Sequence, residues 1–216
     1  MTPAAASDRA SNLAWALVLV AAFTVLVRWL GLDVIAPAAG VVAGGLIVMG
    51  LQFGVVLWLG LGRIGRVSLR DLGWRTEHWP HQVALGVVGA AVLSAGLVIL
   101  LTPLGALDPM ATLDTIGGYS MGQRAFFAAV GIQAALAEET LFRGYLQAAL
   151  MRRTGAAAAT AITAALFALS HLSLSPIRLL GLFWIGLVLG ALRGRDRPLI
   201  APAVAHALLW AVWGNA

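Results

Sequence analysis

VALGVVGAAVLSAGLVILL, residues 83–101, is an apolar run without a single charge, and it ends at Thr102-Pro103. A hydrocarbon core is crossed by a helix of about 20 apolar residues. Within that core the backbone must satisfy its own hydrogen bonds, which a helix does along its length. The run therefore predicts a transmembrane helix. Similar runs lie on both sides of it. We read spans over about Leu13–Leu32, Val34–Leu61, Val83–Leu101, Arg124–Leu150, Ala157–Leu172, Ile177–Leu192 and Leu199–Trp213. The first run is longer than a signal-peptide core and lacks a small-residue cleavage site after it, so we expect it to be retained. The expected fold class is all-α, a polytopic transmembrane helix bundle of about seven spans.

Composition agrees. Of 216 residues, 61% are hydrophobic and 11% charged, against roughly 25% charged in a soluble domain. Mean hydropathy is +0.92. There is no cysteine, which excludes disulfides, thiolate metal sites and cysteine nucleophiles. All 14 basic residues are arginines, so lysine Schiff-base chemistry is excluded as well. A net charge of +5 could point to nucleic acid. The arginines instead occupy short loops between apolar runs, where they orient a membrane protein and meet anionic headgroups. We therefore expect the lipid bilayer as partner and no nucleic acid.

The longest polar interval, residues 63–82, carries Arg63, Arg66, Arg70 and Arg75. Trp74 and Trp79 are its expected interfacial anchors, and we expect a short amphipathic surface segment there. Arginine-rich loops at Arg152-Arg153 and Arg193–Arg197 fall on the same side in a seven-span count. The opposite loops hold Asp33, Asp108 and Asp114. The expected topology has the N-terminus in the cytoplasm. We divide the chain into N-terminal transmembrane helices with the basic surface loop (1–123) and a C-terminal core (124–214). Glycines four residues apart, at Gly40/Gly44, Gly50/Gly54 and Gly186/Gly190, are read as close helix packing.

The informative residues are ionisable groups inside spans. Each costs roughly 2.5–3.5 kcal/mol at the bilayer centre and needs a partner or a role. Two of the chain's three glutamates, Glu138 and Glu139, are adjacent in the fourth span, with Arg143 on the same helix. Glu139 and Arg143 are spaced for an ion pair, which can be purely structural. Glu138 lies about 100° around the helix, without a local counter-charge. His171 and His206 lie in the fifth and seventh spans. Either alone reads as a satisfied core or interfacial histidine. Together with a glutamate pair they can activate water and hold an oxyanion. Neither histidine begins an HExxH metal motif, and no aspartate lies deep in a span. Counting 1.5 Å per residue puts Glu138 and His171 roughly 20 Å, and His206 roughly 12 Å, from the arginine-rich face.

Glu138-Glu139-x-x-x-Arg143-Gly144, Phe167-x-x-x-His171 and His206, in that order, resemble the three signatures of the CAAX prenyl endopeptidase (CPBP or Abi) family of intramembrane glutamic proteases. The resemblance implies an endopeptidase acting on a membrane-associated protein or peptide. It makes Glu138 the base that activates water, His171 the residue that binds this water, and His206 an oxyanion donor. Glu139, Arg143 and Phe167 would support the site. No cofactor is expected, with zinc kept as an alternative because two histidines and a carboxylate can ligate it. The family's usual asparagine or aspartate four residues after the last histidine is replaced by Trp210, whose indole N–H is a donor. Other readings are a non-catalytic membrane peptide-binding or immunity protein, and an ion- or proton-coupled transporter. Resemblance and small size point to a bacterial inner membrane.

Overall fold

The computed structural model of the chain describes residues 13–35, 41–54, 68–195 and 197–213. Among them the chain is helical throughout, with no strand. The elements are α1 (Leu13–Phe23), running on as π-helical turns over Thr24–Ile35, α2 (Val41–Phe53), α3 (Leu69–Leu72), α4 (Trp79–Leu101) and α5 (Pro109–Gly117). Next come α6 (Met121–Glu138), a π-helical segment (Glu139–Gln147) and α7 (Ala148–Thr154), which together form one rod. After them come α8 (Ala156–Leu169), α9 (Pro176–Arg193) and α10 (Ile200–Trp213).

Three rods are long and apolar enough to cross a membrane: Trp79–Leu104, Met121–Thr154 and Pro176–Arg193. Leu13–Val27, Ala156–Leu169 and Ile200–Trp213 are shorter apolar helices. They cover the expected first, fifth and seventh spans in part. The expected second span extends into residues 36–40 and 55–67, outside the described residues, as do Arg63 and Arg66 of the basic loop.

Local signals set the helix ends. Ser120 and Gln123 form a reciprocal capping box at the start of α6. Ser175 caps α9, with Pro176 in its first turn. Gly155, at φ 82°, separates α7 from α8. The basic surface segment is only partly at the surface. Trp79 is 58% exposed, as an interfacial anchor would be. Trp74 departs from that expectation, since it is half-buried and its indole donates to Thr140 Oγ1 at 2.8 Å. Leu72 is fully buried, and Gly73 O accepts from Leu199 N at 2.8 Å.

α10 packs against α4 and α6, while α9 packs against α8 and α4. Glycines permit the close approaches. A Cβ at Gly131 would lie 2.5 Å from Trp210 Cβ, and one at Gly186 would lie 2.7 Å from Ala164 Cα. A Cβ at Gly50 or Gly54 would meet nothing within 4 Å among the described residues. A main apolar cluster joins α1 (Leu19, Phe23) to Leu141, Phe142 and Tyr145 of the π segment. A smaller one joins α4 (Leu93, Leu97), α9 (Leu189) and α10 (Ala205, Leu209). The candidate site lies between them.

Candidate active site

The first sequence signature falls where the α6–α7 rod changes its winding. Glu138 is the last α-helical residue, and Glu139 opens the π-helical stretch. π turns inside α-helices are rare and recur at functional sites. The whole stretch from Glu139 to Gln147 is buried.

Glu139, Arg143 and Gln147 form a stripe of polar side chains, none exposed at all. Glu139 Oε1 accepts from Arg143 Nη1 at 3.0 Å and from His206 Nδ1 at 2.8 Å. Arg143 Nη2 donates to Gly186 O at 3.1 Å, and Gln147 Nε2 donates to Gly190 O at 2.9 Å. The four-residue step on the rod is thus matched by a four-residue step on α9. Glycine at both positions of α9 leaves its carbonyls within reach, since a Cβ at Gly190 would sit 3.3 Å from Gln147 Oε1. Each long polar side chain here bonds to a neighbouring helix, which offsets the cost of taking it into a bilayer.

Phe167, on α8, is the pivot of the second signature. It is 1% exposed. Its ring lies edge-on to Phe142 at 5.2 Å, to His171 at 4.8 Å and to His206 at 6.2 Å, with the Arg143 guanidinium carbon 4.9 Å from its centroid. α8 ends at Leu169, so His171 stands in the following turn rather than in the span. Its Nδ1 lies 2.8 Å from Phe167 O. A carbonyl only accepts, so Nδ1 carries the proton and Nε2 keeps a lone pair. Leu172 closes the turn at φ 53°, a left-handed conformation unfavourable for leucine by about 1 kcal/mol. Such strain persists where the surroundings impose it.

Glu138, His171 and His206 line one cavity of about 350 Å³, together with Phe167 and Trp210. Leu97, Leu101, Leu107, Arg178, Leu182, Ile185, Leu209 and Trp213 complete the wall. All the residues singled out in the sequence are therefore brought together, on one side of the cavity or just behind it. Glu138 is 3% exposed, as is His206. His206 sits deeper than the residue count placed it. The connection before α10 is tucked into the bundle, with Leu199 fully buried against Gly73, so α10 starts inside rather than at the face. Trp210 follows His206 by one turn on the same side of α10, and among the described residues its indole N–H has no hydrogen-bond partner.

Residues 120–212 match the family described as type II CAAX prenyl endopeptidase Rce1-like. The match covers less than half of the chain, its C-terminal part. It begins at the cap of α6 and takes in both glutamates, Arg143, both histidines and Trp210. No curated protein and no solved structure matches the chain. The Rce1-like family is one of proteases, and the three apolar rods make the chain an integral membrane protein.

The sequence reading missed three parts of the site. Gln147 was legible as the next step after Glu139 and Arg143 at four-residue spacing. Thr140, the acceptor for Trp74, had no sequence signal, because its partner is 66 residues away. The α4 wall, Leu97 and Leu101, is ordinary span composition lying outside the matched segment. Among the described residues no group of three or more His, Asp or Glu side chains is placed to hold a metal ion.

Proposed function

We propose that the chain is an intramembrane endopeptidase that hydrolyses a peptide bond of a membrane-associated protein or peptide. The observation that carries this reading is the convergence of Glu138, His171 and His206, from one helix, the turn after a second and a third helix, on one cavity within an apolar bundle. A buried carboxylate facing a cavity beside two histidines is suited to acid–base work on water.

A water held between Glu138 and the Nε2 lone pair of His171 gives its proton to Glu138 as its oxygen attacks the peptide carbonyl carbon. The carbonyl oxygen takes the negative charge. His206 is held by the Glu139 carboxylate through Nδ1–H. When Nε2 is also protonated, it donates to that oxyanion, and the Trp210 indole N–H is the second donor. Glu138 then passes its proton to the leaving nitrogen, and the carbon–nitrogen bond breaks. One water is consumed, and one carboxylic acid and one amine are formed. Arg143 and Phe167 do not touch the reacting atoms. They hold Glu139 and the two imidazoles in place.

The test compares membrane-peptide termini in otherwise identical cells that carry the parent or Glu138→Gln at matched protein level. Termini present only with the parent are expected, because removing a general base costs about 10²–10⁴ in rate. Indistinguishable profiles would overturn the protease reading and turn the site toward peptide binding or transport.

A further inference from the structure

Arg178 has no place in the scheme above, yet it lines the same cavity as Glu138 and His171. Among the described residues it is the one cation in that wall. Its backbone N–H donates to the Ser175 cap at 3.3 Å, while its guanidinium makes no hydrogen bond or ion pair with the described residues. Arg143, by contrast, is closed in by Glu139 and Gly186 O.

Helix stability does not account for this arginine. It stands in the first turn of α9, near the positive end of the helix dipole, where a cation is unfavourable. The arginine at the other end, Arg193, occupies the last turn, where a cation is welcome. On α9, Arg178, Leu182 and Ile185 follow the i, i+4, i+7 pattern of one helix face, and all three line the cavity. That stripe ends next to Gly186, where Arg143 is bound. The cationic end of the wall is thus about 12 Å along α9 from Gly186, where the buried Glu139–Arg143 pair is tied. Apart from Arg178, Glu138 and the two histidines, the wall is leucine, isoleucine, phenylalanine and tryptophan. A ligand complementary to this surface carries apolar groups and one anion, and the anion is held away from the Glu138 carboxylate, which would repel it.

We propose that Arg178 binds a carboxylate of the peptide substrate, either the chain terminus or an acidic side chain, and so sets which bond reaches Glu138. This rests on the peptidase reading of the cavity. A guanidinium suits the task because its planar fork meets a carboxylate through two parallel N–H donors.

The test separates binding from turnover. The full-length chain carrying Glu138→Gln is purified in detergent and titrated with apolar peptides, with quenching of tryptophan fluorescence as the readout. One peptide pair differs only in a terminal carboxylate against a carboxamide. A second pair, both amidated, differs only in a glutamate against a glutamine side chain. The expected result is about 10-fold tighter binding of the carboxylate member of one pair, the size of one hydrogen bond to a charged group. The pair that discriminates identifies the source. Adding Arg178→Gln is expected to abolish the difference, and Arg178→Lys to restore it in part. Equal binding within both pairs, or no binding at all, would overturn the assignment, as would a preference that survives Arg178→Gln. Phosphatidylglycerol vesicles retained only by Arg178-containing protein, with both peptide pairs equal, would also overturn it and give Arg178 to the bilayer. Cleavage of the same peptides by protein with Glu138 intact is read separately. A carboxylate preference without cleavage sinks the peptidase reading alone, and cleavage without a preference sinks the Arg178 assignment alone.

Discussion

Glu138 and Glu139 are neighbours in the chain, and they belong to two regions built on opposite principles. Behind the cavity, Glu139, Arg143 and Gln147 are wholly buried and reach α9 or α10 through hydrogen bonds of 2.8–3.1 Å. On the cavity wall, Glu138, His171, Arg178 and Trp210 face open space. The first region is a lock between helices, tied by these bonds although Glu139 Oε2, Arg143 Nε and Gln147 Oε1 have no hydrogen-bond partner among the described residues. The second is a surface whose polar groups border a cavity. In a bilayer a buried charge is tolerated when it is paired or functional, and the α-to-π junction between Glu138 and Glu139 separates these two solutions. The difference teaches that a polar residue in a span is assigned by what it faces, since residue type and depth are the same on both sides.

The largest effect expected from breaking this contrast is on stability. Arg143→Met leaves Glu139 buried with only the His206 ring, and losing one partner of a buried pair costs about 3–5 kcal/mol. Glu138→Gln, one residue outside the lock, is expected to shift stability by no more than about 1 kcal/mol while removing activity. Unfolding of the purified variants in mixed detergent, followed by tryptophan fluorescence, reads both. Equal destabilisation by the two changes would mean that lock and wall are not distinct.

A smaller effect, confined to rate, sharpens the wall side. Trp210→Phe keeps the ring that packs over Gly131 but removes the indole N–H. The expected result is a fall in cleavage rate of about 10²-fold, the usual cost of an oxyanion donor, with unfolding unchanged. An undiminished rate would leave His206 as the sole donor and reduce Trp210 to packing.

The fold was legible where a single physical rule decides it. Apolar runs of about 20 residues cross lipid as helices, which satisfy their own backbone, and the three long rods sit where the runs at residues 83–101, 124–150 and 177–192 placed them. The Glu139–Arg143 pair followed from helical spacing alone. The role of His206 as a partner of Glu139 did not, because that contact joins residues 67 apart in sequence and depends on α10 starting inside the bundle. Trp74 misled the reading for a similar reason. Its composition and neighbours are those of an interfacial anchor, and only the tertiary fold supplies Thr140 as an acceptor. Arg178 was invisible as a site residue because a basic residue at the end of a span reads as an ordinary loop charge.

Glycine spacing shows the same limit and supplies the finest test of the lock. Gly50/Gly54 and Gly186/Gly190 have the same four-residue signature, yet among the described residues nothing lies near the first pair and the second is closed in. Gly50→Ala adds a methyl to a helix without a clash and is expected to stabilise by about 0.5–1 kcal/mol through helix propensity. Gly186→Ala drives the same methyl to 2.7 Å from Ala164 Cα, a backbone atom that cannot swing aside. The helices must separate there, loosening the Gly186 carbonyl from Arg143. The expected cost is about 1–3 kcal/mol, read as a lower unfolding midpoint in the same detergent assay. If Gly186→Ala proved as benign as Gly50→Ala, the lock would not depend on close approach of α8 and α9. Arg143 would then hold α9 by reach alone.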